Sequence, residues 1–186
     1  LKIKSKKYIL SSIHREENVD SKKNFKALLD SLDAIANTYK LPIIISTHPR
    51  TKQQLEKINY QSKNKLLRFA KPFGFHEYNK LQLNALCILS DSGTITEESS
   101  ILNLPAITIR QAHERPEGMD ETTVIMSELS KERVLSAINL TIDHHKRGNQ
   151  FKLVRDYDVD NVSKKIVRII YSYTDFVNRT VWQKTI

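Results

Sequence analysis

Short apolar runs alternate with segments of helical periodicity along this 186-residue chain. The clearest helical segment is 24–39, where apolar residues recur at three- and four-residue steps. The apolar runs have the length of buried strands, and one of them, 43–46, is almost entirely β-branched. They lie at 8–13, 43–46, 66–69, 87–90, 106–109 and 123–126. This alternation predicts an α/β fold with a parallel sheet of about six strands.

The composition limits the kind of protein that this chain can be. Cys87 is the single cysteine, which excludes a disulfide framework and a cysteine-based zinc site. No apolar run approaches the roughly 20 residues that span a bilayer. The formal charge is +9, and its positive field favours polyanionic ligands, including diphosphates. A nucleic-acid-binding module is a second interpretation of this charge. The lysines stand singly or in pairs between acids, however, so we expect neither nucleic acid nor membrane as a partner.

The strongest local signal is the segment 90–98, which follows an apolar strand and opens a helix. Open parallel sheets bind ligands at the carboxyl ends of their strands. Ser92 and Thr94 offer hydroxyl groups there, Gly93 allows close approach of the backbone, and free N–H groups at the helix start suit a phosphate. Two glutamates follow about one turn later, within reach of vicinal sugar hydroxyl groups. An ordinary capped helix is the alternative, because a Ser or Thr followed three residues later by Glu is a capping-box pattern.

Basic and imidazole side chains follow three other predicted strands. His14 and Arg15 come directly after the first strand, and His48 follows the second. Such groups are costly to desolvate unless an anion pairs with them, although each loop alone could be solvated or structural. Two His/Arg loops at equivalent ends of one sheet favour a shared anion site. After the fifth strand, Arg110 or Arg115 could bind a phosphate with two hydrogen bonds.

Four of these motifs together resemble a known family. Their order and spacing are similar to those of non-hydrolysing UDP-N-acetylglucosamine 2-epimerases, over about residues 8 to 140. The variant sequence at 92–100, with His113 before the last motif, looks most like the branch that makes UDP-N-acetyl-L-fucosamine for capsule and O-antigen synthesis. The four motifs are His14-Arg15-Glu16-Glu17-Asn18, Thr47-His48-Pro49, Asp91-Ser92-Gly93-Thr94 through Glu97-Glu98, and Glu114-Arg115-Pro116-Glu117.

The resemblance implies a domain organisation. The family has two Rossmann-like domains in a GT-B-type arrangement with the active site between them, and this chain resembles the C-terminal half. We therefore expect a Rossmann-like domain at 1–160, with helices on both faces of its sheet, that binds a nucleotide sugar. A helical segment at 161–186 is expected to pack on an N-terminal domain. The chain opens at Leu1 rather than Met, and we expect it to be part of a longer, cytoplasmic protein that forms a homodimer when full length.

The resemblance also implies roles for individual residues. His14 would lie beside the diphosphate as the catalytic candidate, and Tyr78 falls where the family often has an aromatic residue near the uracil. Thr94 departs from the second glycine of many members, which could change how closely the backbone approaches the phosphate. The expected substrate contacts are Arg15 and His48, Tyr78 on the uracil side, Ser92, Gly93 and Thr94 at the diphosphate, Glu98 at the ribose hydroxyls, and Arg115 at the phosphates or nucleotide.

Family chemistry, as the resemblance implies it, inverts C2 of a UDP-N-acetylhexosamine by eliminating and re-adding UDP. The carboxylates that handle the proton belong to the N-terminal domain in this family, so we expect this chain alone to be inactive. We expect no metal and no other cofactor. The alternative enzyme class is a GT-B glycosyltransferase, in which this chain would be the donor-binding domain.

Overall fold

The structure is a computed structural model that describes residues 2–112, 114–148 and 151–184. The described residues form six strands and eight helices. The strands are β1 (Ile9–Ser12), β2 (Ile43–Ser46), β3 (Leu67–Ala70), β4 (Cys87–Ser90), β5 (Ala106–Ile109) and β6 (Ile125–Ser127). The helices are α1 (Glu16–Val19), α2 (Lys22–Tyr39), α3 (Pro49–Lys57), α4 (Phe75–Asn84), α5 (Ile95–Leu102), α6 (Pro116–Asp120), α7 (Lys131–Lys146) and α8 (Val162–Thr180).

All six strands pair in parallel in the order β3-β2-β1-β4-β5-β6. The order reverses at β1, which pairs with β2 on one side and with β4 on the other. Ser12, the last residue of β1, therefore lies in register with Ser46 and Ser90. A reversal of this kind opens a crevice at the carboxyl edge of the sheet. The predicted Rossmann-like α/β fold is confirmed.

Two hydrophobic clusters cover the two faces of the sheet. Neighbouring residues of β1 point to opposite faces, so Ile9 belongs to one cluster and Leu10 to the other. The first cluster contains the apolar residues of α2 and α7, and the second contains residues of α4 and α5. Because both faces are covered, the strands carry continuous apolar residues instead of alternating with polar ones.

The element boundaries differ from the prediction in several places, and the bounds of β1 and β3 are each shifted by a residue at both ends. The structure adds α1 and α6, whose four and five residues are too short to show helical periodicity in a sequence. Strand β6 begins at Ile125 rather than 123, because the Thr123 N–H donates to the Gly118 carbonyl and turns the chain before the sheet. Helix α7 ends at Lys146, whose ammonium group lies near the negative end of the helix.

The chain divides into two compact units, 1–154 and 155–186. The second unit contains α8, whose large apolar side chains recur at three- and four-residue steps and are exposed. They are Ile166, Ile169, Ile170, Tyr173 and Phe176. Among the described residues, none of the helices combines the length and the apolar character needed to cross a bilayer.

Removing a large side chain from the centre of the sheet tests this description of the core. Ile88 of β4 is 0% exposed, so Ile88→Ala should lower the free energy of unfolding by about 2–5 kcal/mol. Ile101 on α5 is 55% exposed, and Ile101→Ala should change it by less than about 0.5 kcal/mol. Urea denaturation of both variants measures the difference, and equal effects would contradict the assignment of Ile88 to the core.

Candidate functional site

The loops that follow β1, β2, β4 and β5 converge at the carboxyl edge of the sheet. His14 is bound to Asp91, which precedes Ser92, and the Arg115 guanidinium lies against Gly93. The structure therefore brings together the loops that carry His14, Ser92 and Arg115, as their positions after neighbouring strands predict. His48 lines a cavity at the same edge with His14 and Arg15, and Tyr78 lines a second cavity with Ser12 and Ser46, the last residues of β1 and β2.

Helix α5 does not use the side-chain cap that the sequence allows. Thr94 is the N-cap residue, yet its side chain makes no capping hydrogen bond, and its Oγ1 lies 2.9 Å from Ser92 Oγ. Glu97, which a capping box would turn back to the helix start, accepts a 2.5 Å hydrogen bond from Arg115 Nε instead. Within the described residues, the Gly93 and Thr94 N–H groups make no hydrogen bond. The helix start thus has donors for an anion.

Two glycines allow α5, α6 and the Arg115 side chain to pack together. A Cβ atom on Gly93 would lie 2.2 Å from Arg115 Nη1, so the glycine leaves room for the guanidinium beside the backbone. A Cβ atom on Gly118 would lie 2.0 Å from Thr96 Cγ2, so this glycine lets α6 approach α5. Together the two glycines let the loop that carries Arg115 lie against the start of α5.

Three arginines meet at the carboxylate of Glu114. Arg110 Nη2 donates to Oε1 at 2.8 Å, Arg15 Nη2 donates to Oε2 at 3.3 Å, and Arg115 Nη1 lies 3.9 Å from Oε2. The hydrogen bond and the charge of Arg110 are the main causes that lower the pKa of Glu114 to about 2. Arg110 is only 7% exposed, and its Nε atom has no hydrogen-bond partner in the described residues. The arrangement is a ready site for a multiply charged anion.

His14 lines a cavity of about 410 Å³ at this edge of the sheet. Its Nδ1 lies 3.3 Å from Asp91 Oδ1, and its ring centre lies 5.3 Å from that of His48. Burial lowers the pKa of His14 from its ordinary 6.5, the Asp91 carboxylate opposes this, and His48 and nearby arginines lower the pKa further. The lining residues are His14, Arg15, Glu16, Glu17, His48 and Arg50. A histidine that is neutral at physiological pH can accept a proton or donate a hydrogen bond here.

A second cavity, of about 230 Å³, has an aromatic wall and a carboxylate. Burial raises the pKa of Tyr78 to about 12, so its hydroxyl stays protonated at physiological pH. Phe75 is 78% exposed at the mouth of the cavity. The carboxylate is that of Glu98, and it is bound by the amide Nε2 of the buried Gln82. The lining residues are Ser12, Ser46, Phe73, Phe75, Tyr78, Asn79 and Glu98.

The sequence does not predict the contacts of three residues that organise the site. Asp91 was visible inside the 90–98 motif, but only the structure shows its carboxylate beneath the His14 loop. Arg110 was one of two phosphate candidates after β5, and its burial next to Glu114 could not be read from the sequence. Gln82 lies in a helical pattern of apolar residues, where its contact with Glu98 gives no signal.

His113, which precedes the last of the four motifs, lies outside the described residues. Across the ranges that the structure describes, no three histidine, cysteine, aspartate or glutamate side chains are grouped so that they could hold a metal ion.

A comparison with known protein families shows to which of them this chain belongs. Residues 1–171 match the family described as UDP-N-acetylglucosamine 2-epimerase. The chain belongs to this epimerase family. The family description names an epimerase, which is one of the two enzyme classes that the architecture alone leaves open.

Individual relatives agree with this assignment. The chain is 37% identical to a UDP-N-acetylglucosamine 2-epimerase of Methanocaldococcus jannaschii over 139 residues, which are 73% of this chain and 38% of the relative. The structure of that enzyme from Rickettsia bellii is 49% identical, with a TM-score of 0.79 over 98% of this chain and 48% of the other. A Methanocaldococcus jannaschii structure in complex with UDP-GlcNAc and UDP is 33% identical, with a TM-score of 0.80 over 89% and 45%. The chain thus spans half or less of the length of these relatives.

The buried position of His14 predicts how stability depends on pH. Because the pKa of His14 is lowered on folding, the unfolded chain binds this proton more tightly, and the free energy of unfolding should fall as the pH drops below about 6.5. His14→Gln should make this decrease smaller, and His76→Gln, which removes an exposed imidazole of α4, serves as the control. Denaturation between about pH 5 and 8 measures it. An unchanged pH dependence in His14→Gln would contradict the burial of this ring.

Proposed function

We propose that this chain is the nucleotide-sugar-binding, C-terminal half of a non-hydrolysing UDP-N-acetylhexosamine 2-epimerase. The main observation behind this proposal is that Arg15, Arg110 and Arg115 all lie at the carboxylate of Glu114, beside the start of α5. An anion with two phosphate groups matches such a cluster in charge and in geometry. Family membership supports the reaction class, and the Methanocaldococcus jannaschii relative in complex with UDP-GlcNAc and UDP supports the ligand class.

The two cavities suggest how a UDP-sugar is oriented. The aromatic cavity would take the nucleoside, with Tyr78 near the uracil and Glu98 accepting hydrogen bonds from the ribose hydroxyl groups. The diphosphate would follow at Ser92, Gly93, Thr94 and Arg115, where N–H, hydroxyl and guanidinium donors lie together. His14, Arg15 and His48 would then border the sugar side of the diphosphate, with His14 as the catalytic candidate.

In this reaction the C-terminal half would mainly stabilise the leaving group, which is UDP. A base removes the C2 proton while the bond between C1 and the UDP oxygen breaks, which gives a glycal and free UDP. UDP then re-adds at C1 while C2 is protonated on its other face, so atoms and charge balance. Arginines and helix N–H groups lower the energy of the departing diphosphate because they are already oriented toward it. The carboxylates that move the C2 proton would come from the N-terminal domain.

Helix α8 fits the same organisation. Its exposed apolar residues include Ile169, Tyr173 and Phe176. These side chains would pack on the N-terminal domain, which is the role that we expect for the segment 161–186. The full-length protein would be cytoplasmic and would form a homodimer. The sequence 92–100, with His113 before the last motif, supports the capsular branch that makes UDP-N-acetyl-L-fucosamine.

Hydrogen exchange at C2 tests the proposed reaction. The full-length protein, incubated in D₂O with UDP-N-acetylglucosamine or UDP-N-acetyl-L-fucosamine and no acceptor, should give the C2 epimer with deuterium at C2, as followed by NMR. The better of the two substrates identifies the branch. The 186-residue chain alone should bind UDP weakly and give no epimer. Sugar transfer that requires an acceptor, without exchange at C2, would favour the glycosyltransferase class.

Substituting Gly93 tests the diphosphate site. In Gly93→Ala the new methyl group displaces the Arg115 guanidinium, so the Kd for UDP should rise about tenfold or more, as for the loss of a charge-assisted hydrogen bond of about 1.5–3 kcal/mol. Gly74→Ala is the matched control, because its Cβ would meet only Glu77 Oε2 at 3.7 Å. Calorimetric titration of the full-length variants with UDP measures both. Equal affinities for the two variants would contradict the placement of Arg115 at the diphosphate.

A further inference from the structure

Asp91 is a buried carboxylate with an unusual set of partners. It is 0% exposed, and both of its oxygens accept main-chain hydrogen bonds from the loop that follows β1. The His14 N–H donates to Oδ1 at 3.0 Å and to Oδ2 at 3.1 Å, and the Arg15 N–H donates to Oδ2 at 2.9 Å. A buried carboxylate is stable only when hydrogen bonds replace its water, and here backbone donors of another loop do so.

A side chain ties the same carboxylate to a third strand. Asn18, which is 3% exposed, donates from Nδ2 to Asp91 Oδ2 at 3.1 Å and to the Ile109 carbonyl at 3.1 Å. Asp91 follows β4, Asn18 lies in α1 after β1, and Ile109 ends β5. The carboxylate therefore holds together the loops on which the anion site is built. All of these partners are donors, so an amide at position 91 would place its NH₂ group against N–H groups.

The His14 ring is oriented by the same group. Its Nδ1 lies 3.3 Å from Asp91 Oδ1, and its Nε2 is on the opposite side of the ring. A carboxylate this close to one ring nitrogen favours the neutral form of the ring that carries its hydrogen on that nitrogen. The charged or titratable groups that act on the ring are Asp91, His48, Arg15 and Arg50, and Asp91 alone among them favours the positive form.

We propose that Asp91 is the positioning residue of this site, fixing the His14–Arg15 turn and holding His14 with its hydrogen on Nδ1 so that Nε2 is free to act on the leaving diphosphate. This inference rests on the proposed function for its catalytic meaning, but the geometry of the Asp91–His14 pair does not depend on it. The role is distinct from support of the fold, because it acts through the tautomer and proton affinity of one ring.

Asp91→Asn in the full-length protein tests this role. The variant should lose about 10²-fold or more in kcat with a smaller change in KM, as expected when a catalytic group is misplaced. The pKa of His14, followed by NMR of labelled imidazole, should fall below its wild-type value, and the ¹⁵N shifts should show less of the Nδ1–H tautomer. The matched control is Asp30→Asn, which removes an exposed carboxylate of α2 and should match the wild type.

Asn18→Ala gives an independent test with the opposite sign. It removes one hydrogen-bond donor from Asp91 and leaves the negative charge of the carboxylate less compensated, so the pKa of His14 should rise. If Asp91→Asn does not fold, this variant decides the question. A residue that served only the fold would lower the melting temperature in both variants and leave the pKa and the tautomer of His14 unchanged, which would overturn the proposal.

The two proposals fail in different ways. The NMR titration needs no substrate, so its outcome judges Asp91 even if the full-length protein turns over no UDP-sugar. Absence of turnover in the wild type would overturn the proposed function instead. Wild-type turnover that Asp91→Asn retains in full would overturn the role of Asp91 alone.

Discussion

Parallel pairing of β1 with both β2 and β4 is the constraint on which the rest of the structure depends. It brings the carboxyl ends of the central strands into register, and the loops after them must then share one small region of space. Polar side chains that lie far apart in the sequence become neighbours for this reason. Glu114, for example, meets Arg15 across 99 positions of the chain.

The charges in this region are balanced before any ligand arrives. Glu114 and Glu97 accept hydrogen bonds from Arg110 and Arg115, and Glu16 pairs with Arg50 at 2.7 Å. A cluster of unpaired guanidinium groups would repel itself and destabilise the fold. The carboxylates therefore allow a strongly basic chain to gather its arginines at one edge of the sheet, and they keep the fork of each guanidinium in a defined orientation.

The fold was predictable because its strands are buried on both faces. Runs such as Ile43–Ser46, Cys87–Ser90 and Ala106–Ile109 have the bounds that the sequence predicts, since burial on both sides demands uninterrupted apolar residues. The short helices α1 and α6 were not predictable, because their positions depend on contacts such as that of Gly118 with Thr96 instead of on local periodicity.

The site was predictable only as a set of loops. The positions of His14, Ser92 and Arg115 after neighbouring strands predict convergence, and the structure brings their loops together. Which atoms meet could not be predicted, since Asp91, Arg110 and Gln82 act through side-chain directions and burial that no spacing encodes. Their environments result from packing between elements that are distant in the sequence.

The position of Glu114 among three arginines has a consequence for the anion site that we propose. With a pKa of about 2, this carboxylate keeps its charge at any acidity a living cell experiences. Protonation of Glu114 therefore does not release the three arginines. Under the proposed function, a diphosphate would have to compete with this carboxylate for their hydrogen bonds, and its several oxygens would suit it to that exchange better than a monovalent anion.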